Sequence, residues 1–220
     1  MPEQLNERLN TRPKEPMYIP PHNRIDDRPT LVAFMRAHSF AALVTHGEQG
    51  LRATHLPVVV EHEGDRVRLL AHVARANPQW RDFADGREAM AIFAEPHAYV
   101  SPRHYERAET VPTWNYVAVH AYGVPRIVED RDEKHAQQTK LIAMHDAEYG
   151  ARFPDLSRAY VDRMLGAIVA FAVDVTGLDA RFKLSQEKLP VERERIIAEL
   201  EGSRDSWAVE TAEMMRKHHR

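Results

Sequence analysis

The stretch Leu70 to Trp80, LAHVARANPQW, holds the residues of this chain best suited to bind an anion. Arg75 carries a planar fork of N–H donors that matches phosphate geometry, and backbone amides freed at a turn before a helix add further donors. An anion site at Arg75, Ala76 and Asn77 is therefore physically reasonable. A plainer reading of the same residues has Arg75 solvated and Asn77 serving only as the N-cap of a helix with Pro78 at its first position. If the segment before the turn is a strand, His72 and Ala74 share one face as it ends.

Three other stretches carry chemistry. In ATHLPVVV (residues 53–60), strand alternation sets Thr54 with Leu56 and Val58, and His55 with Ala53 and Val59. His55 then reads either as a groove-lining donor or metal ligand, or as an ordinary core histidine. In VPTWNYVAVHAYG (residues 111–123), Tyr116, His120 and Tyr122 fall on one strand face behind Trp114 and Asn115. That arrangement suits a flat aromatic ligand, a subunit contact or an aromatic core. In RFKLSQEK (residues 181–188), Arg181, Lys183, Gln186 and Lys188 form a solvated cluster or an anion clamp.

Much chemistry is excluded. The chain has no cysteine, which removes disulfides, thiolate nucleophiles and Cys-ligated zinc or iron–sulfur centres. Its 13 histidines include no HExxH and no other spacing with a helical-face rationale, so no metal is expected. Haem held through one imidazole stays open, because a single ligand leaves no spacing signature. Ser101 lacks the small-residue elbow of G-x-S-x-G, and Walker and G-x-G-x-x-G loops are missing. A net charge of -3, from 30 basic and 33 acidic residues, argues against a general nucleic-acid coat. No apolar run approaches the roughly 20 residues of a membrane helix, and the start does not read as a secretory signal, so a reducing cytoplasm is expected.

The elements that must position these residues follow from periodicity. Residues 1–16, with three prolines and balanced charge, read as a mobile arm. A helix is expected over Thr30 to His38, then a hairpin from Phe40 to Thr45 and Leu51 to Val60, and a third strand over Val67 to Val73. A short helix from Pro78 ends near Gly86. Strands over Ala89 to Glu95 and Tyr116 to Val128 flank a Pro-punctuated loop from Pro96 to Pro112. Asp130 and Glu133 stand in capping-box spacing before a helix expected to end at Gly150, and Gly166 to Thr176 reads as the last strand. That strand is apolar on both faces, which places it under another element or at a dimer seam. Helical patterns at Val191 to Glu201 and Asp205 to His218 close the chain, anchored by Ile196, Ile197, Leu200 and Trp207. Between Val191 and Arg220 lie six bases and seven acids, the balance of packing helices rather than of a DNA reader. Strands outnumber helices without βα alternation, so a mostly antiparallel β-barrel with peripheral helices is expected.

MYIPPHNR, ATHLP, HVARANPQW, YVSPRHY, VPTWNYVAVHAYG and RFKLSQEK together, in this order, resemble the PaiB-like family, described as FMN-binding negative transcriptional regulators. The resemblance runs from about Met17 to Leu200. It implies an FMN-binding split β-barrel over residues 17–190, like those of flavin reductases and pyridoxamine-phosphate oxidases, with a helical tail over 191–220. It also implies a homodimer with FMN at the subunit interface. Carried over by position, Thr54, His55, His72, Arg75, Ala76 and Asn77 look like flavin and phosphate contacts. Trp114, Asn115, Lys183, Gln186 and Lys188 look like contributions from the barrel rim or partner subunit.

Three functions compete. The first is an FMN-binding regulator acting as a cytoplasmic homodimer through flavin state, a small molecule or a partner protein, without direct DNA readout. The second is an FMN-dependent oxidoreductase with His72, His120 or Tyr116 on the substrate side, its catalytic residues unassigned. The third is a haem-binding split barrel.

Overall fold

The structure, a computed structural model, describes residues 17–218. The expected N-terminal arm lies outside the described residues. In chain order the elements are α1 (Arg28–Ala37), β1 (Phe40–Gly47), β2 (Gly50–Pro57), β3 (Val59–Glu63), β4 (Arg66–Ala74), β5 (Ala89–Val100), β6 (Thr113–Gly123) and β7 (Pro125–Ile127). They continue with α2 (Arg131–His145), α3 (Ala147–Arg152), α4 (Arg158–Gly166), β8 (Ile168–Asp174), β9 (Gly177–Lys183), α5 (Pro190–Glu201) and α6 (Ser206–Lys217). The strands form a five-stranded sheet in the order β2-β1-β5-β6-β9 and a four-stranded sheet in the order β3-β4-β8-β7.

By internal contacts the chain divides into two units. The larger comprises Asp27–Glu95 and Ala118–Leu178; the smaller comprises residues 17–26, Pro96–Val117 and residues 179–218.

In the larger unit, Asp27 accepts the Thr30 amide at 3.0 Å to start α1, which buries Leu31, Val32, Phe34 and Met35. The β1–β2 hairpin turns at Gly50, whose φ of 95° is a left-handed conformation that favours glycine. β4 pairs with β8 along its length, from Arg68 opposite Asp174 to Ala74 opposite Ile168. Phe83 and Phe171 meet at 4.9 Å between ring centres. The apolar interior leaves a void of about 10 Å³ among Ala41, Leu43, Leu56, Val58, Phe171 and their neighbours, at most one water in size.

The two-sided apolar strand expected at residues 166–176 is β8, and it sits under another element. Its second face, with Ala170 and Ala172, packs with Leu70 and Val128. Gln137 of α2 reaches the carbonyls of Ala71 at 2.6 Å and Phe171 at 3.1 Å.

In the smaller unit, Glu192 makes the N-terminal cap of α5, accepting the amides of Leu189 at 3.0 Å and Glu106 at 2.8 Å. Asp205 caps α6 through the Trp207 amide at 3.0 Å. The two helices pack together, burying Ile196, Ile197 and Leu200 on α5 and Ala208, Ala212 and Met215 on α6. Trp207 is not the buried anchor expected: it stays 41% exposed.

Several boundaries differ from the sequence expectation. The helix expected to run to Gly150 breaks at Asp146, where the carboxylate accepts the Tyr149 amide at 2.9 Å and starts α3. Helix α4 was not expected, because Val161 and Leu165 are the two residues it buries and so weak a stripe leaves little periodic signal. Residues 166–176 do not hold the last strand. β9 follows, burying Ala180 and Phe182 between Asp179, Arg181 and Lys183, whose charges mask the alternation. The expected loop from Pro96 to Pro112 is shorter, since β5 continues through Pro96 and buries Ala98 and Val100.

Candidate functional site

β4 ends at Ala74 and the chain turns through Arg75, Ala76 and Asn77, held by the Asn77 amide donating to the Ala74 carbonyl at 2.8 Å. Asn77 accepts the Gln79 amide at 3.0 Å and so caps the 3-10 helix Pro78–Asp85, with Pro78 at its first position as the spacing predicts. Its Nδ2 donates to Thr54 Oγ1 on β2 at 2.9 Å. The Thr54 hydroxyl, being an acceptor there, keeps its own proton to donate. Arg75 is exposed; its Nε donates to the Gly166 carbonyl at 2.7 Å and one Nη2 hydrogen to the Ile168 carbonyl at 3.0 Å. Three of its five N–H groups remain for another acceptor. Thr54 and Asn77 thus meet at the turn, while the Arg75 guanidinium is tied to the start of β8 with hydrogens to spare, and residues 74–77 include no acid. The backbone amides expected to be free there are not all free: those of Arg75 and Asn77 donate to the Ala167 and Ala74 carbonyls, both at 2.8 Å. This donor set fits a phosphate.

The 3-10 helix behind the turn is clamped by residues that sequence reasoning missed. Gln79 is fully buried and donates to the Leu43 carbonyl at 3.0 Å and to Thr45 Oγ1 at 3.2 Å. Asp82, also buried, accepts from Thr45 Oγ1 at 2.8 Å and from Arg52 Nη1 at 2.6 Å. Its carboxylate lies over Gly47, where any side chain would collide with it. One signal was available: Thr45 continues the inward phase of Ala41 and Leu43, so a polar residue had to find a buried partner.

The two histidines of this group differ. His55 is on the exposed face of β2, stacked on Phe40 at 6.2 Å between ring centres, so it is neither buried nor a core histidine. His72 is half-buried opposite Ala170. Burial pushes its pKa below the ordinary 6.5, making it a neutral imidazole at neutral pH. Its Nδ1 is buried without a partner among the described residues. Tyr122 and His120 lie side by side on β6, with Oη and Nδ1 3.5 Å apart.

The remaining site residues fall in the smaller unit. Lys183 at the end of β9 donates to Thr113 Oγ1 and, at 2.6 Å, to the Trp114 carbonyl. Burial lowers its pKa, Glu187 opposes that shift, and Arg181 and Lys188 add to it. Lys188 lies 3.6 Å from the Glu187 carboxylate and 4.3 Å from the centre of the Tyr105 ring. Trp114 is 52% exposed in an aromatic group, 5.8 Å from His97 and 5.9 Å from Tyr99. Asn115 and Gln186 look inward. Asn115 is fully buried, accepting from Ser185 Oγ at 3.0 Å and facing Met215 Sδ at 3.4 Å. Gln186 accepts the Leu184 amide at 2.8 Å and donates to the Phe182 carbonyl. These bonds hold the turn where Ser185 adopts a φ of 62°.

The sequence profile of the family described as "Putative FMN-binding domain" matches residues 17–177. The chain belongs to this family. It is 32% identical over 201 residues to "Protease synthase and sporulation protein PAI 2" of Bacillus subtilis, covering 90% of this chain and 96% of that protein. Among solved structures it resembles an FAD and haem binding protein from Mycobacterium smegmatis, with a TM-score of 0.57 and 16% identity over 73% of each chain. It also resembles the flavocytochrome Anf3 from Azotobacter vinelandii, with a TM-score of 0.56 and 15% identity over 71% of this chain and 67% of that one. The fold of this FMN-binding-domain family member is the split β-barrel with peripheral helices that the sequence led us to expect. Among the described residues no helix is long and apolar enough to cross a membrane, and no cluster of three or more His, Asp or Glu stands in metal-binding geometry.

Proposed function

We propose that this family member binds FMN with its phosphate on the Arg75–Ala76–Asn77 turn and acts as a cytoplasmic homodimeric regulator without reading DNA itself. The observation that carries the reading is the exposed, acid-free turn at which Thr54 and Asn77 meet and Arg75 keeps three N–H groups beyond its ties to Gly166 and Ile168. Such donors suit a phosphate dianion, and a bound flavin would supply one- or two-electron chemistry. Membership of the FMN-binding-domain family supports FMN, and the likeness to an FAD and haem binding protein supports a flavin on this fold. The tail helices support the indirect route to regulation: Arg216 pairs with Glu201 at 2.6 Å, and Arg195 pairs with Glu106. Bases engaged by acids are poor phosphate readers.

The test is a titration of the full chain with FMN, followed by flavin fluorescence. Arg75→Ala should weaken binding about tenfold or more, since a charged hydrogen bond contributes about 1.5–3 kcal/mol. Thr54→Val should weaken it by less. Thermal unfolding of each variant separates ligand contact from loss of the Arg75 ties to Gly166 and Ile168. Unchanged FMN affinity in Arg75→Ala would refute the phosphate assignment, and a Soret band with no flavin spectrum would replace flavin by haem. Salt-sensitive, sequence-specific gel shifts would overturn the indirect route.

A further inference from the structure

A cleft of about 310 Å³ adjoins the phosphate turn within the larger unit. Glu48 and Gln49, the two-residue turn between β1 and β2, form one wall with Arg52 of β2; Pro78, Arg81 and Asp82 of the 3-10 helix form the other. Its size lies at the lower end of small-ligand pockets. Its place follows from the chain. Pro78 succeeds Asn77, and Arg52 shares a strand face with Thr54, two residues and about 7 Å along β2. Trp80 ties the turn to the cleft: its indole N–H donates to the Arg75 carbonyl at 3.1 Å, and the Arg81 guanidinium lies 5.5 Å from the centre of its ring.

The lining residues divide by what they have left to give. Both Asp82 oxygens are engaged, one by Thr45 and one by Arg52. Arg52 donates one hydrogen to Asp82 and one to Gln49, both at 2.6 Å, and keeps three N–H groups. Arg81 is exposed and makes no hydrogen bond or ion pair among the described residues, so its guanidinium is a planar cation backed by an indole. Glu48 is an exposed carboxylate with acceptors to spare. We infer that this cleft takes the adenylate limb of a flavin dinucleotide, so that the chain accepts FAD with its FMN half seated as proposed above. The assignment rests on that reading and deepens it. FMN ends at the phosphate on the turn, whereas in FAD that phosphate is esterified onward. The second phosphate then meets the spare Arg52 hydrogens, the purine stacks on Arg81 and Trp80, and Glu48 accepts from the ribose hydroxyls. Glu48 and Arg81 offset each other in charge, which suits a nucleoside better than a bare anion.

Calorimetric titration of the full chain with FMN and, separately, with FAD tests the assignment. FAD should bind at least about tenfold more tightly than FMN, the effect of one stacked base. Arg81→Ala should remove most of that margin and leave FMN affinity within about twofold of wild type. Glu48→Gln should narrow the margin by less, again without moving FMN, and keeps the test alive if Arg81→Ala disturbs the 3-10 helix. A nicotinamide dinucleotide carries the same adenylate limb, so the FMN-loaded chain is also titrated with NAD. Arg81-dependent binding of NAD there, with no advantage of FAD over FMN, would give the cleft to a second dinucleotide and overturn the assignment. Equal affinities for the two flavins, a margin that survives both variants, or an equal loss for both flavins in Arg81→Ala would overturn it while leaving the FMN seat standing. Failure of either flavin to bind would overturn both.

Discussion

The two units are built by different physics. In the larger unit, strands pair through long regular registers, β1 with β2 and β4 with β8, and a buried clamp joins Gln79, Asp82, Thr45 and Arg52. In the smaller unit, distant segments are joined by single polar ties. Glu192 holds the Glu106 amide, Glu199 meets both Arg103 and His104, and Asn115 meets Ser185. A barrel of alternating apolar residues tolerates many substitutions, because its stability is spread over area. A unit assembled from long-range polar ties depends on individual residues and on pH.

The sharpest way to test this contrast is to remove the buried Asp82 clamp of the larger unit. Asp82→Ala should cost about 2–4 kcal/mol in urea unfolding, below the full cost of breaking a buried pair because the Arg52 side chain stays 24% exposed. A negligible cost would show that the apolar registers alone support that unit. Asn115→Ala should cost about 1–3 kcal/mol by leaving Ser185 Oγ without its acceptor. If its effect matches that of a surface substitution, the smaller unit does not depend on single ties.

Acid should affect the units in separate windows. His72 has a folded pKa below 6.5, so as pH falls through 6.5 the unfolded chain takes up its proton first and stability declines until the folded value is reached. His72→Gln should remove that segment of the pH profile. Glu199 is held below 4.5 chiefly by its hydrogen bond from Arg103, so its contribution is present above 4.5 and is lost as pH falls through the folded value. Glu199→Gln should flatten the profile only below about 4.5. At neutral pH it should have the smallest effect of these variants, because both partners are substantially exposed. Chemical unfolding at a series of pH values reads all three profiles.

Local signals were strong where a residue's role is set by its neighbours in sequence. Asn77 before Pro78 marked a cap, Asp130 before Glu133 marked the start of α2, and alternation marked β4. The signal failed where charge covered the alternation, as in β9, or where an acid inside a helical pattern capped a second helix, as at Asp146. The site shows the same division. The turn at Arg75 to Asn77 and its link to Thr54 follow residues singled out beforehand, whereas Asn115 and Gln186 turn inward because packing and a left-handed Ser185 claim their amides.

By itself the sequence determined most element types of the barrel, the absence of thiol chemistry, the balanced charge of the tail helices and the family. Each depends on composition, short-range periodicity or motif order. Only the tertiary structure decided which polar groups face each other: Asp82 with Arg52, Glu199 with Arg103 and His104, and Lys183 with Thr113. It also decided that β8 is covered while Phe40 and Leu51, on the outward face of β1 and β2, stay exposed among the described residues. Alternation reveals that a strand has two apolar faces, but what covers each face depends on where the rest of the chain folds back.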